Sequence, residues 1–232
     1  MIMRVAVLAS GRGSNFQSII DASMKHKLPN CKIELLIVNK KEAYAVEIAK
    51  KYNIEHKFIE SKGKKREDFD RQMLKVLSER KINIIVLAGF MRILSKTFVM
   101  KYKNRIINIH PSLLPSFPGA NAHRDVIKSG VNESGCTVHF VDEGIDTGPI
   151  IMQMKVDVDE DDNEETLAAK ILPLEHIILP KALHLLTSNK LKINNGKVTI
   201  KSTNPLNTAK SGRHSEVKKT YVEKTNFKKK QL

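Results

Sequence analysis

The sequence has no tryptophan, and phenylalanine and tyrosine together make up 5% of its 232 residues. It has two cysteines, Cys31 and Cys136, which are far apart and lack the spacing of a metal-binding motif. This scarcity excludes a disulfide-built scaffold and argues against a cysteine-ligated zinc site. We expect both thiols to be reduced, in the core or near the surface.

Long apolar runs are also missing. Stretches such as residues 84–88 fall far short of the roughly 18 residues needed to cross a bilayer. The first ten residues, MIMRVAVLAS, lack the charged start and the cleavage site of a signal peptide. The sequence therefore predicts a cytoplasmic protein that does not enter a membrane.

The usual nucleotide-binding and hydrolase motifs are absent. Residues 10–15, SGRGSN, follow an apolar run at 4–9 and open a predicted helix at 16–25. The dinucleotide fingerprint fails because Phe16 stands where its third glycine belongs, and the next predicted strand ends in Asn39 rather than an acid. Neither a Walker lysine nor a Gly-x-Ser-x-Gly elbow is present. The turn at 10–15 could bind a phosphate through backbone N–H groups, or it could be a tight turn only.

Negative charge is scarce, and the formal net charge is +15. Residues 206–232 carry eight Lys or Arg and two Glu. The apolar periodicity of the chain stops after Asn204. We therefore predict a catalytic domain at 1–204 and a basic, disordered tail at 205–232. The charge fits small anionic metabolites as well as nucleic acid, and a nucleic-acid contact would be made through the tail.

Apolar residues alternate between strand and helix periodicity along most of the chain. Repeated strand–helix–strand spacing predicts an α/β protein with a mainly parallel central sheet flanked by helices. A long helix is predicted from the acidic lead at 161–165 to Thr187. Pro173 and Pro180 lie inside it, so we expect a kink or two abutting helices. Asn194-Asn195-Gly196 between two short strands predicts a C-terminal hairpin.

One predicted strand presents a pair of polar side chains where it ends. Asn108 and His110 are two residues apart in RIINIHPSLLPSFPG and so point to the same face. Pro111 follows at once and cannot donate to the sheet ladder. An amide can stabilise an oxyanion and an imidazole can carry a proton near neutral pH, which together suit acyl transfer. Asp146, in a glycine-flanked loop between two later strands, is the candidate acid to orient the histidine.

Other interpretations of Asn108, His110 and the nearby polar residues are open at this point. Asn108 could cap the strand end while His110 fills a polar niche. Ser112 has no nucleophile context, and Cys136 near His139 could be a thiol pair or ordinary packing. In a further alternative, a metal could be bound by four side chains that lack the local spacing of a zinc motif: His110, His123, His139 and Asp146.

The segments NIHPSLLPSFPG, the following AH and DEGIDTGPII closely resemble the folate-dependent formyltransferases, and within them the branch that formylates glycinamide ribonucleotide in purine synthesis. The resemblance runs from about Arg4 to about Leu186. It implies a Rossmann-like formyltransferase fold with a C-terminal helix and hairpin, 10-formyltetrahydrofolate as cosubstrate, no metal, and a monomer or homodimer. Its partners would be these two small molecules, with no membrane and no nucleic acid unless through the tail.

The resemblance also implies residue roles. Asn108 would bind the formyl oxygen, His110 would donate and shuttle the proton, and Asp146 would hold His110 and raise its pKa. The ribonucleotide would bind to Gly13, Ser14 and Asn15 and to the turn Leu172, Pro173, Leu174 and Glu175. The folate would contact Arg66, Met91, Arg92, Ile93, Leu94, Asn108, Asp142, Glu143, Gly144, Ile145 and Asp146.

Close relatives differ outside this region. Methionyl-tRNA formyltransferase adds a basic β-rich domain of about 100 residues, for which the chain after Leu186 is too short. Formyltetrahydrofolate deformylase carries a regulatory domain before the glycine-rich turn, and here few residues precede that turn. We therefore expect the ribonucleotide enzyme rather than either relative.

Overall fold

The computed structural model describes residues 2–201 and the backbone of a short strand at 222–223. Its ten strands are β1 Met3–Ala9, β2 Cys31–Val38, β3 Glu55–Phe58, β4 Ile84–Leu87, β5 Ile106–His110, β6 Glu133–Phe140, β7 Ile150–Asp157, β8 Leu191–Asn194, β9 Lys197–Ile200 and β10 Val222–Glu223. Its six helices are α1 Ser14–Met24, α2 Ala45–Lys51, α3 Arg66–Glu79, α4 Lys96–Lys101, α5 Ala122–Ser129 and α6 Glu164–Thr187.

Eight strands form one sheet in the order β10-β7-β6-β5-β4-β1-β2-β3. Five neighbouring strands run parallel, in the order β3-β2-β1-β4-β5. Strand β6 pairs antiparallel with β5, and β7 pairs antiparallel with β6. This confirms the predicted mainly parallel sheet. The chain builds outward from β1 in both directions, so the strand order reverses between β1 and β4, where α/β folds bind their ligands at the carboxyl ends of the strands.

The two faces of the sheet are covered by separate hydrophobic cores. Val5 and Val7 of β1 join the cluster under α1 and α6, whereas Ala6 and Leu8 join the cluster under α3 and α4. Successive side chains of a strand point to opposite faces, so a strand buried on both sides must be apolar at every position. This explains why the strands read as continuous apolar runs rather than as alternating ones.

Helix α6 is one 24-residue helix that contains both prolines, so the alternative of two abutting helices is wrong. Its start is fixed by Asn163, whose side chain accepts the N–H groups of Glu165 and Thr166 while the Thr166 hydroxyl accepts the Asn163 N–H. Its buried face packs on the sheet and α1. That packing stabilises a continuous helix despite the two missing N–H groups.

The C-terminal hairpin is confirmed. Strands β8 and β9 pair antiparallel with Asn194 opposite Lys197. The two turn residues, Asn195 and Gly196, both have left-handed backbone angles, with φ of 48° and 72°, as a two-residue hairpin turn requires.

The predicted disordered tail at 205–232 lies outside the described residues apart from β10. There the structure instead has a strand, which pairs with Gln153 and Met154 of β7. Among the described helices, none has the length and apolar character to span a bilayer.

Candidate active site

The end of β5 brings Asn108 and His110 to the carboxyl edge of the sheet. The antiparallel neighbour β6 sets Asn108 opposite His139 and His110 opposite Thr137. His110 and His139 are almost fully buried, at 4% and 2% exposure. Polar groups buried this far from water need partners, and the partners come from two loops.

The first loop follows β6 and carries Asp146. One carboxylate oxygen, Oδ2, lies 3.3 Å from Nδ1 of His110 and accepts the N–H of Gly119 at 2.8 Å. The other, Oδ1, lies 3.4 Å from Nε2 of His139 and accepts Nδ2 of Asn108 at 3.4 Å. Asp146 therefore contacts both imidazoles and the amide.

The loop around Asp146 is held by its own side chains. Asp142 Oδ1 accepts the Gly144 N–H at 3.1 Å and the Thr147 hydroxyl at 2.7 Å. At Gly148 a Cβ would lie 1.8 Å from the Phe140 carbonyl oxygen, so only glycine fits the close return of the chain. Asp146 itself has a left-handed φ of 55°, which aspartate tolerates better than most residues.

The second loop, after Pro111, determines which nitrogen of His110 carries a proton. Nε2 lies 2.8 Å from the carbonyl oxygen of Phe117. A carbonyl can only accept, so Nε2 is the protonated nitrogen of the neutral ring. Nδ1 then faces Asp146 without a proton, and a second proton taken up by the ring is placed between Nδ1 and the carboxylate.

His139 follows the same rule with its nitrogens exchanged. Its Nδ1 lies 2.8 Å from the Phe140 carbonyl oxygen and must donate to it. Nε2 is then free to accept from Nδ2 of Asn108, at 3.2 Å. The amide of Asn108 thus has its nitrogen toward His139 and Asp146, an orientation fixed by hydrogen bonding.

Burial and nearby polar groups act in opposite directions on the pKa values of His110 and Asp146. Burial lowers the pKa of His110, and the nearby charge of His139 adds to this, although the Phe117 carbonyl and Asp146 act in the opposite direction. Asp146 acts on His110 in the expected direction and raises its pKa, but burial is the larger effect, so the net shift is downward. Burial raises the pKa of Asp146, but the hydrogen bond that His139 donates when it is protonated, the Gly119 N–H and the positive charges of the protonated histidines outweigh it and lower the pKa to about 2.

A cavity of about 350 Å³ opens above these residues. Its walls come from the loop after β4, the ends of β5 and β6, and the Asp146 loop. They include most of the residues predicted for the folate side: Met91, Arg92, Ile93, Leu94, Asn108, Asp142, Gly144, Ile145 and Asp146. Met91 and Ile145 are 63% and 53% exposed, so the cavity offers an apolar surface to a flat ring.

Two residues predicted for the folate side lie outside the lining of this cavity. Arg66 is exposed at the start of α3. Glu143 pairs with Lys96 at 3.0 Å, which joins the Asp146 loop to α4. The guanidinium of Arg92 is held by other contacts: Nη2 donates to the Lys64 carbonyl at 2.8 Å, and the group lies over the Phe69 ring.

A second group of polar residues lies at the start of α1. Gly13 has a φ of 77°, and a Cβ there would lie 2.8 Å from Cβ of Ala45, so the turn requires glycine. No side chain caps the helix, which leaves N–H groups of its first turn available to an anion. Nδ2 of Asn15 donates to Oε2 of Glu175 at 2.7 Å, and its buried Oδ1 has no partner among the described residues.

The contact between Asn15 and Glu175 joins two segments that the sequence separates by 160 residues. Burial raises the pKa of Glu175, against the hydrogen bond from Asn15. The residues predicted to contact the substrate at 172–175 lie inside α6, within the long helix predicted up to Thr187. Leu174 packs in the core at 3% exposure, whereas Pro173 is exposed, so helical geometry turns these two side chains in different directions.

Comparison with known proteins identifies the family of this chain. The sequence profile described as "Formyl transferase" matches residues 3–183. The chain belongs to the formyl transferase family. The match covers both polar groups at the carboxyl edge of the sheet.

Individual members of the family show how far the likeness extends. The chain is 47% identical over 193 residues to the trifunctional purine biosynthetic protein adenosine-3 of Chironomus tentans, of which it spans 14% of the length. It is 40% identical over 192 residues to the phosphoribosylglycinamide formyltransferase of Escherichia coli (strain K12), of which it covers 90%. In both alignments 82% of this chain is covered.

A solved structure extends the likeness to three dimensions. Glycinamide ribonucleotide transformylase 1 from Symbiobacterium toebii superposes with a TM-score of 0.84 at 37% identity, covering 87% of this chain and 95% of that one.

Three residues that contribute to this polar cluster were not predicted as parts of a formyltransferase site: His139, which was named only in the thiol and metal alternatives, Phe117 and Gly119. The last two act through backbone groups, which leave no mark in a side-chain pattern. His139 could have been found, because strand alternation placed it on one face of β6 and an antiparallel pairing with β5 would set that face beside Asn108.

The geometry of the described residues does not support the alternative of a bound metal ion. His110, His139 and Asp146 do converge, as that reading required. Yet in the described part of the chain no group of three or more His, Cys, Asp or Glu side chains is arranged to hold a metal ion.

Proposed function

We propose that this formyltransferase transfers the formyl group of 10-formyltetrahydrofolate to the amine of glycinamide ribonucleotide, a step of purine biosynthesis. The observation that carries the proposal is the contact of one ionised carboxylate, Asp146, with His110, His139 and Asn108 at the base of the 350 Å³ cavity. Such a cluster combines an oxyanion donor with a proton carrier. The names of the relatives support the choice of acceptor.

The cavity suits the folate. Its apolar wall contains Met91, Ile93 and Ile145, which can contact the flat pteridine, while backbone groups of residues 91–94 can hydrogen-bond to the ring edge. We assign the carboxylates of the glutamate moiety to Arg66, which is exposed and carries a fixed positive charge. Asp142 and its neighbours close the opposite side.

The turn before α1 suits the ribonucleotide. Its phosphate would accept N–H groups from Gly13, Ser14 and Asn15 at the positive end of the helix dipole. Glu175 lies beside Asn15 and can meet polar groups of the ribonucleotide, including its amine. Leu172, one helical turn before Glu175, borders the same face of α6.

Direct attack accounts for the chemistry. The amine nitrogen forms a bond to the formyl carbon, and the carbonyl oxygen becomes an oxyanion. Nδ2 of Asn108 stabilises this oxyanion by giving up its 3.4 Å contact with Asp146. The bond between that carbon and the folate nitrogen then breaks, and the proton lost by the amine reaches the folate nitrogen through His110. Asp146 orients His110 and stabilises its charged form. No acyl group is bound to the protein at any stage.

An assay with three acceptors tests the proposal. The purified chain is supplied with 10-formyltetrahydrofolate and with glycinamide ribonucleotide, methionyl-tRNA or water alone, and both tetrahydrofolate and the formylated product are measured. We expect turnover with the ribonucleotide and none above background with the other two. Turnover in water alone would replace the proposal by a deformylase, and formylated tRNA would replace the acceptor.

A further inference from the structure

The loop from Gly89 to Ser95 contributes residues 89–94 to one wall of the 350 Å³ cavity. Phe90, Arg92 and Leu94 pack on its inner side, in or beside the core cluster that contains Phe69. Met91 is 63% exposed and Ile93 is 49% exposed. Packing of Met91 and Ile93 therefore contributes little to the position of the loop. The backbone at these two residues must be fixed in another way if it is to meet a ligand in one conformation.

The beginning of the loop is fixed by a buried serine. The N–H of Met91 donates to the hydroxyl oxygen of Ser10 at 2.8 Å. The Ser10 hydroxyl donates in turn to Oδ1 of Asn39 at 2.7 Å, and Nδ2 of Asn39 donates to the Ser61 hydroxyl at 3.1 Å. Ser10, Asn39 and Ser61 are 5%, 6% and 8% exposed. Each bond in this chain fixes the orientation of the next group.

The end of the loop is fixed separately. Oδ2 of Asp70, which is 1% exposed, accepts the N–H of Ser95 at 2.5 Å. The Ser95 hydroxyl accepts the N–H of Phe98 at 3.2 Å and so caps α4. Residues 92–94 thus lie between two anchored positions, and the anchor at Met91 depends on a single hydroxyl.

We infer that Ser10 is a positioning residue for the formyl donor, with Asn39 and Ser61 holding its hydroxyl in place. The inference rests on the proposed function, in which the backbone of residues 91–94 meets the pteridine. Ser10 sits at the end of β1, directly before the turn assigned to the ribonucleotide phosphate. Ser10 therefore lies beside both proposed substrate sites, and its side chain bonds to the loop of the folate site.

The effects on the two sites can be separated experimentally because the backbone and the side chain of Ser10 make different hydrogen bonds. Its backbone N–H donates to the Gly89 carbonyl at 3.1 Å, and this bond survives removal of the side chain. The turn at 11–15 should keep its position in Ser10→Ala. The Met91 N–H, by contrast, loses its acceptor, and Asn39 Oδ1 loses its donor.

The test compares Ser10→Ala and Asn39→Ala with the wild type in steady-state kinetics and in calorimetric titrations with tetrahydrofolate and with glycinamide ribonucleotide. For Ser10→Ala we expect the dissociation constant of tetrahydrofolate and the KM of the donor to rise about tenfold, the effect of one lost hydrogen bond. The KM of the ribonucleotide should change less than about twofold. Asn39→Ala should show the same pattern, and the double variant should add little, since both changes act through one hydroxyl.

Ser134→Ala is the matched control. Ser134 is 1% exposed, and its hydroxyl has no partner among residues 2–201, so its loss should leave both constants unchanged. If Ser10→Ala does not fold, Asn39→Ala decides the outcome.

Unchanged donor constants in a folded variant, or an equal rise for both substrates, would overturn the inference. Failure of the wild type to form formylated ribonucleotide would instead overturn the proposed function, and the two failures are thereby distinguished.

Discussion

The carboxylate of Asp146 lies 3.3 Å from Nδ1 of His110, between side chains that are 14% and 5% exposed. Because Nε2 of His110 already donates to the Phe117 carbonyl, the charged form of the ring places its second proton on the nitrogen that faces Asp146. Burial favours the neutral ring and Asp146 favours the charged one. Burial prevails and lowers the pKa of His110 overall, so a proton taken up at Nδ1 is stabilised by Asp146 but disfavoured by the buried surroundings.

Asp146→Asn keeps the shape of the side chain and removes its charge. We expect the rate to fall by about 10² or more, the usual scale of positioned acid–base help. The pKa of His110 should move further down, because the carboxylate is one of the groups that raise it. Steady-state rates and an NMR titration of the His110 ring check the two effects. An unaltered rate and pH profile would make Asp146 a turn residue.

Asn108→Ala removes the proposed oxyanion donor. The rate should fall by about 10², while the His110 titration should stay in place, since Asn108 contacts Asp146 and His139 but is not among the causes of the His110 shift. Parallel rate and NMR measurements on this variant and on Asp146→Asn separate the two roles. A shifted titration would mean that Asn108 acts on the proton rather than on the oxyanion.

His110→Ala should lose at least as much rate as Asp146→Asn. The double variant should lose about as much as His110→Ala alone, because both side chains act through one proton path. A double-mutant cycle on kcat measures this coupling. Additive losses would show that Asp146 and His110 act separately.

Glu175→Gln tests the other polar group. The amide oxygen can still accept from Asn15, so the contact of 2.7 Å is preserved without the charge. We expect the KM of the ribonucleotide to rise about tenfold, the scale of a lost charge-assisted hydrogen bond, with the KM of the donor unchanged. An increase in the KM of the donor alone would mean that Glu175 contacts the folate and not the ribonucleotide.

The same variant has a stability signature. Burial raises the pKa of Glu175 above its ordinary value of 4.5, so the folded chain binds this proton more tightly than the unfolded chain. The contribution of Glu175 to stability is therefore present at low pH and is lost as the pH rises through its folded pKa. Thermal unfolding should show the stability of Glu175→Gln rising relative to the wild type as the pH increases above 4.5. A constant difference in Tm would contradict this.

The tail is expected to be dispensable for catalysis, because every proposed site residue precedes Asn207. Deletion from Asn207 removes β10, whose pairing with β7 is limited to two residues. Turnover should stay within about tenfold of the full chain, a margin far below the loss expected for a catalytic residue. If RNA or DNA binds the full chain in a salt-dependent manner and the truncated chain does not, the tail has the nucleic-acid role.

Much of the fold could be read from the sequence because it follows from local patterns. Alternation and helical spacing gave the order of elements, and the strand-end position of Asn108 and His110 could be read from Pro111. The contacts of His139 depend on which strands pair, which is a tertiary property. The direction of the His110 pKa shift depends on burial, which opposed the carboxylate that the sequence suggested. The continuous helix through Pro173 likewise depends on packing.

A single-turnover experiment with donor carrying an isotopic label in its formyl group tests whether the formyl group passes directly from the folate to the ribonucleotide. Enzyme in excess is mixed with labelled 10-formyltetrahydrofolate and glycinamide ribonucleotide, quenched at intervals, and separated into protein, nucleotide and formate fractions. Direct transfer predicts that the label enters the nucleotide at the rate at which tetrahydrofolate appears, and that both rates fall by about 10² or more in Asp146→Asn. Label that passes first through the protein fraction, or that leaves as formate, would contradict the account.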